Sequence, residues 1–158
     1  MDNKILNLSN EQKGIYIDCI KGSSVEYNNV VTISVTELDY AAFRSAINMV
    51  VNEQELLRAS FTEIHGEPKM VIHKNADVPI VCSDMKGRSI EEIKKEIISF
   101  SSEEFSLASS SLFTVKIIES DKDKCFIVLK VHHLVSDGTS MSILIKDLFR
   151  YYNAVRRN

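Results

Sequence analysis

Cys125-Phe-Ile-Val-Leu-Lys-Val-His-His-Leu-Val-Ser-Asp-Gly138 organises the chain around it. Cys125–Leu129 is an unbroken apolar run, β-branched and aromatic, preceded by the charged Asp121-Lys-Asp-Lys124. That composition predicts a buried strand entered through a polar turn. The strand ends on His132 and His133. A Ser136-Asp137-Gly138 turn follows, and an apolar-periodic helix begins at about Ser140. Strand, polar turn and helix in succession place a reactive side chain at the edge of a rigid sheet. Successive strand side chains point to opposite faces, so the two histidines diverge. Ligands of one metal must converge, which argues against a metal site built from both. Ser136 lies too near His133 in sequence for a Ser-His triad, and no Gly-x-Ser-x-Gly elbow occurs.

Outward from this segment, the pattern is that of one α/β domain. Val30–Val35 is β-branched and predicts a strand. Leu112–Ile118 predicts another, joined to the Cys125 strand by a hairpin at Asp121–Lys124. Phe61–Ile64 and Lys69–Ile72 flank Gly66-Glu67-Pro68 and predict a second hairpin. His65 and His73 beside it are assigned no role and are expected at the surface. Val78–Cys82 reads as a short strand, with Pro79 marking an edge. Four helices are expected. Ser9 with Gln12 forms a capping box ahead of an apolar face of Ile15, Tyr16, Cys19 and Ile20, and Gly22-Ser-Ser24 ends that helix. Asp39 caps a helix carrying Phe43, Ala46, Ile47 and Val50. Ser89 caps one running through Ile93, Ile97 and Ile98 to about Phe100. The last carries Met141, Leu144, Ile145, Leu148, Phe149 and Tyr152 on one face, a core stripe rather than a ligand box. The fold class is a mixed, largely antiparallel sheet flanked by helices.

The 158 residues fit one domain, and a 44% hydrophobic, 26% charged composition is ordinary for a globular protein. Nineteen basic and 22 acidic residues leave a net charge of −3, with no basic face to bind nucleic acid. No apolar run reaches the length of a membrane span, and Met1-Asp-Asn-Lys4 holds no signal-peptide core. Both features point to the cytoplasm. Cys19, Cys82 and Cys125 are odd in number and form no Cys-x-x-Cys. They read as inert thiols in a reducing compartment, with Cys82 and Cys125 as small core residues.

His132-His133-x-x-x-Asp137-Gly138 resembles the signature of the condensation domains of nonribosomal peptide synthetases, within the chloramphenicol-acetyltransferase-like superfamily. Ser9, Gln12 and Gly14-Ile15-Tyr16 resemble the family's first motif, Ser-x-x-Gln-x-x-(aliphatic)-(aromatic), with Tyr16 where Trp is common and Gly14 where Arg is common. Tyr27-Asn28, entering a strand, fits the family as well. Glu55, Leu57, Arg58 and Phe61 match the second motif, Arg-His-Glu-x-Leu-Arg-Thr-x-Phe. Glu53, Gln54 and Ala59 depart from it. Phe105-Ser106-Leu107 stands where the family has Phe-Asp-Leu. The resemblance runs from about Ser9 to Tyr152.

The resemblance implies a chloramphenicol-acetyltransferase-like half-domain: residues 1–158 as the N-terminal lobe of a condensation domain, without the C-terminal lobe. It implies amide-bond formation, in which an acceptor amine attacks an acyl thioester carried by phosphopantetheine on a carrier protein. By the same resemblance His133 is the catalytic residue, acting either as base or by orienting the amine. His132 is supporting, Asp137 is structural and buried, and Gly138 lets backbone approach the substrate. A buried Asp137 requires a cationic partner, for which Arg58 is the candidate. No metal or directly bound cofactor is implied. The implied partners are carrier proteins, the second lobe and adjacent synthetase domains, not nucleic acid or membrane. A cleft with one wall stays open to water, so the lobe alone is expected to be inactive. The alternatives are a non-catalytic module that docks carrier proteins, the lobe of an epimerisation domain, or a free-standing acyltransferase. Cyclisation domains replace the two histidines with aspartates and are disfavoured.

Overall fold

A computed structural model of the chain describes residues 3–121 and 123–157. Among the described residues, seven strands and four α-helices follow in the order β1 (Lys4–Asn7), α1 (Asn10–Lys21), β2 (Asn28–Thr36), α2 (Tyr40–Glu53), β3 (Ala59–Ile64), β4 (Glu67–Ile72), β5 (Ile80–Asp84), α3 (Ile90–Ser101), β6 (Phe113–Glu119), β7 (Lys124–His132) and α4 (Gly138–Arg156). Two short 3-10 turns, Val25–Tyr27 and Glu55–Arg58, precede β2 and β3.

The helix starts are decided locally. Ser9 accepts the Gln12 amide while Gln12 reaches back to the Ser9 amide, so both halves of the capping box form. Ser89 and Glu92 repeat the arrangement for α3, and Asp39 caps α2 through the Ala42 amide. Asp137 caps α4, which therefore begins two residues before the apolar pattern suggests.

The larger sheet has the order β2-β7-β6-β5, antiparallel except for the β5–β6 pair. Parallel neighbours need a crossover, and α3 supplies it. β7 lies between two neighbours and is buried on both faces. Its odd residues Ile127, Leu129 and Val131 join Phe43, Ala46, Ile47 and Val50 of α2 and Met141, Leu144, Leu148 and Tyr152 of α4 in the main core. Its even residue Val128 joins Ile118, Ile93 and Phe100 under α3. Each such fully buried aliphatic or aromatic side chain stabilises the fold by roughly 1.5–3 kcal/mol before entropy is counted. A smaller antiparallel sheet, β1-β4-β3, sends Phe61, Met70 and Ile72 into the main core.

Several expectations are corrected. The β3–β4 turn is His65-Gly66, both at positive φ (53° and 79°), with Ile64 paired to Glu67; Glu67 and Pro68 belong to β4. That left-handed pair suits a two-residue hairpin, and glycine takes its second position at no steric cost. His73 is half-buried, its Nε2 2.7 Å from Ser60 Oγ. β1 has no counterpart in the sequence reading, because four residues with polar ends carry no period to detect. Ile20 is 60% exposed rather than part of the buried face of α1, where Tyr16 and Cys19 are. Cys82 is exposed, because β5 is the edge strand of its sheet. Lys122 of the expected Asp121–Lys124 turn, with Met1 and Asp2, lies outside the described residues. Among the described residues no helix is long and apolar enough to cross a membrane.

Candidate active site

The end of β7 sends its two histidines into different surroundings. His132, on the even face, is 0% exposed. It sits between the rings of Tyr27 and Phe105, at centroid distances of 6.1 and 6.0 Å. Its Nδ1 accepts the Leu134 amide proton at 3.2 Å, so Nδ1 carries no hydrogen. The proton of the neutral ring is therefore on Nε2, 3.7 Å from Cys19 Sγ. Burial, helped by the adjacent His133 charge, pushes its pKa down to about 4. His132 is thus an uncharged anchor that shapes the turn after the strand. Burial likewise raises the Cys19 thiol, with Asp18 and Glu104 adding to the effect, so its sulfur stays a protonated neighbour of the ring.

His133 has turned off the strand and is exposed. Its backbone amide donates to Tyr27 O at 2.8 Å. Its Nδ1 stands 2.6 Å from Ser136 O. A carbonyl oxygen only accepts, so Nδ1 carries the hydrogen and the Nε2 lone pair is left free. The turn is held from three sides. Ser136 Oγ donates to His132 O at 3.2 Å, Gln12 Nε2 donates to Leu134 O at 2.9 Å, and Asn29 Nδ2 donates to Ser136 O at 3.2 Å. The Gln12 bond joins the first helix to the histidine turn, so two of the sequence motifs meet in space.

Asp137 and Arg58 are not brought together. Asp137 is exposed, and its Oδ1 accepts from both the Ser140 amide and the Ser140 hydroxyl at 2.7 Å. Those bonds hold its carboxyl below the ordinary aspartate range. Arg58 spends its guanidinium on backbone: Nη1 on Val51 O (2.5 Å) and Asn52 O (2.7 Å), Nε on His73 O (3.1 Å). The expected ion pair fails because its premise fails. A carboxylate at an exposed helix start is solvated and capped, and needs no buried cation. Arg58 instead satisfies the last carbonyls of α2 and ties them to the end of β4. Asp137→Asn, an equally good cap, should leave the melting temperature nearly unchanged. Asp137→Ala should lower it by about 2–4 °C. Equal losses in a thermal melt would restore a charge-pairing role.

Gly138 is the first residue of α4, and a Cβ there would meet nothing within 4 Å. The chain itself therefore does not require glycine at this position.

His133, Leu134, Val135, Ser136, Asp137 and Ser140 line an open cleft of about 330 Å³ together with Glu11, Gln12, Ile15 and Leu56. Leu56, Val135, Ser136 and Ser140 are shared with a second hollow of about 260 Å³, closed by Leu57 and Leu144. Among the described residues no group of three or more His, Cys, Asp or Glu side chains could hold a metal ion.

Sequence reasoning missed two supports of the site. Lys130 is 2% exposed, yet its Nζ donates to Phe100 O (2.8 Å) and Glu103 O (3.0 Å) beneath the Phe100 and Phe105 rings. A cation at the C-terminus of α3 meets the negative end of the helix dipole. Asn28 Nδ2 donates to Ser101 O and Glu103 O at 3.0 Å and closes the same helix end. The available signals were a lysine inside an apolar strand and two asparagines opening a β-branched one, each unfavourable unless its polar group is satisfied.

A family model described as the condensation domain matches residues 2–158. Bacitracin synthase 3 of Bacillus licheniformis is 35% identical over 147 residues, 92% of this chain and 2% of that protein. Gramicidin S synthase 2 of Aneurinibacillus migulanus is 34% identical over 148 residues, 92% of this chain and 3% of that protein. The starter condensation domain of the rhizomide synthetase superposes with a TM-score of 0.89 at 16% identity, over 98% of this chain and 38% of that one. The first condensation domain of the CDA synthetase gives 0.86 at 19% identity, over 98% and 40%. The chain thus spans a few per cent of these curated relatives and under half of these solved chains. The superpositions show a chloramphenicol-acetyltransferase-like arrangement of mixed sheets and flanking helices. With the family match over nearly its whole length and synthetase relatives above 30% identity, the chain belongs to the condensation-domain family of the nonribosomal peptide synthetases.

Proposed function

We propose that this chain is the N-terminal lobe of a condensation domain, and that His133 handles the proton in an amide-forming acyl transfer. The donor is an acyl or aminoacyl thioester on the phosphopantetheine of a carrier protein, and the acceptor is an amine. The amine nitrogen attacks the thioester carbon and the C–N bond forms. His133 Nε2 takes the proton that the nitrogen loses. The C–S bond then breaks, and the thiolate sulfur recovers that proton from the imidazolium. The products are an amide and a free pantetheine thiol. A thioester is already activated, so positioning and one well-placed base supply most of what the step needs.

One observation carries this reading: the 2.6 Å contact of His133 Nδ1 with Ser136 O, which leaves the Nε2 lone pair as the ring's only free acceptor on a cleft wall. His132, buried and neutral, serves as its anchor; Asp137 and Arg58 hold backbone. The partners of this reading are carrier proteins, a second lobe that closes the cleft, and neighbouring synthetase domains in the cytoplasm. The test is transfer of a labelled acyl group between loaded carriers by the two-lobed domain, wild type against His133→Ala. The openness of the cleft in this chain favours a second reading, a module that holds a carrier without turnover. Carrier binding with no transfer by the wild-type two-lobed domain would establish it.

A further inference from the structure

Asn29, the second residue of β2, lies directly across the sheet from Val131, the residue before the two histidines. Its neighbour Asn28 faces the other side and holds the end of α3, so the two asparagines serve opposite faces of one strand. Asn29 Nδ2 lies 3.2 Å from three atoms: Ser136 O, Ser136 Oγ and His133 Nδ1. That nitrogen has two hydrogens and no acceptor capacity. Both hydrogens go to the Ser136 oxygens, because His133 Nδ1 already donates to Ser136 O at 2.6 Å. The Ser136 carbonyl thus accepts from Asn29 on one lone pair and from the imidazole on the other.

We propose that Asn29 is a positioning residue for His133: it fixes the Ser136 carbonyl in the orientation that keeps the ring hydrogen on Nδ1 and the Nε2 lone pair free. The inference rests on the reading of His133 as the proton acceptor. Without the Asn29 amide the Ser136 peptide is held only through its side chain, and its carbonyl can swing from the ring. The imidazole then has no reason to prefer Nδ1–H. Molecules with the hydrogen on Nε2 present a donor where the incoming amine requires an acceptor. An asparagine is a poor strand residue, so its place in β2 costs stability that the contact to the turn offsets.

Long-range ¹H–¹⁵N spectra of the labelled chain report directly which ring nitrogen of His133 carries the hydrogen. The wild type should show the Nδ1–H form. Asn29→Val suits a strand better than asparagine and keeps the fold, and it should show both forms. Asn29→Ala, which removes the amide without adding bulk, should do the same. In the two-lobed domain kcat should fall about tenfold in either variant, the loss expected from one net hydrogen bond, with KM for the loaded carriers unchanged. A wild-type ring protonated on Nε2 would overturn the inference, whatever the variants do. So would a wild-type tautomer in Asn29→Val, or slowed transfer with no change in tautomer. Transfer that survives His133→Ala would instead overturn the proposed function, and the tautomer readout keeps the two failures apart.

Discussion

His133→Ala should lower amide formation by the two-lobed domain by about 10²–10⁴-fold, the span that a positioned general base contributes. The loss should fall on kcat. His133 is exposed on a cleft wall, and its only side-chain tie within the turn is the Nδ1 bond to Ser136 O. Removing the ring therefore leaves the turn anchored by Gln12 on Leu134 O and by His132 on the Leu134 amide. A folded, carrier-binding but slow variant is the expected result. His133→Gln separates the two roles the side chain could have. Glutamine can hydrogen-bond an amine and orient it but takes up no proton at neutral pH, so recovery of most of the rate would mean that His133 orients only. A His133→Ala rate within about threefold of wild type would end the catalytic assignment. The comparison requires the second wall of the cleft, because water in an open site weakens every polar interaction there.

Acidification from pH 6.5 to 4 removes about 3 kcal/mol of stability through His132 alone. Its folded pKa is pushed down to about 4 from 6.5, and each unit is worth about 1.4 kcal/mol. The unfolded ring binds a proton as pH falls through 6.5, whereas the folded ring, buried and donating from Nε2, resists until about 4. The unfolded state thus holds more protons across that window, so stability rises with pH within it and falls on acidification. Carboxylates held low in the fold, such as Glu119 beside Lys86 and Tyr40, contribute in the same direction but further down. Their stabilisation is lost as pH drops below the ordinary glutamate value of 4.5. Denaturant unfolding at pH 7, 6 and 5 therefore isolates the histidine. His132→Asn keeps an acceptor for the Leu134 amide and removes the titration, so its stability should be nearly flat over that range. A wild-type profile equally flat would show that the ring is not buried uncharged.

Against a total stability of about 5–15 kcal/mol, that acid effect is a large fraction of the whole. It makes the first histidine a determinant of the fold, while the second, adjacent and chemically identical, is exposed on the cleft and is the one proposed to act in the chemistry. The difference is made by strand alternation at the last residue of β7. One ring turns inward under Phe105 and the other leaves the sheet at the turn.

What was legible in the sequence was whatever acts over a few residues. Ser9 with Gln12, Asp39 with Ala42 and Ser89 with Glu92 decide helix starts at a separation of three, and the sequence alone located them. Apolar, β-branched runs mark most of the strands, and the order of motifs identifies the family. Contacts that depend on register were not legible. Ser136 lies 107 residues from Asn29, and the two meet only because β2 pairs with β7. Charge alone pairs Arg58 with Asp137, yet the fold brings carbonyls at residues 51, 52 and 73 to its guanidinium and leaves the aspartate in solvent as a cap. Cys82 is apolar in sequence and exposed because β5 is an edge; Lys130 is charged in sequence and buried because α3 ends above it. Periodicity and caps are short-range and were determined by the sequence itself. Which polar groups find each other, and which faces are covered, follows from strand order and helix placement, and only the tertiary structure decided them.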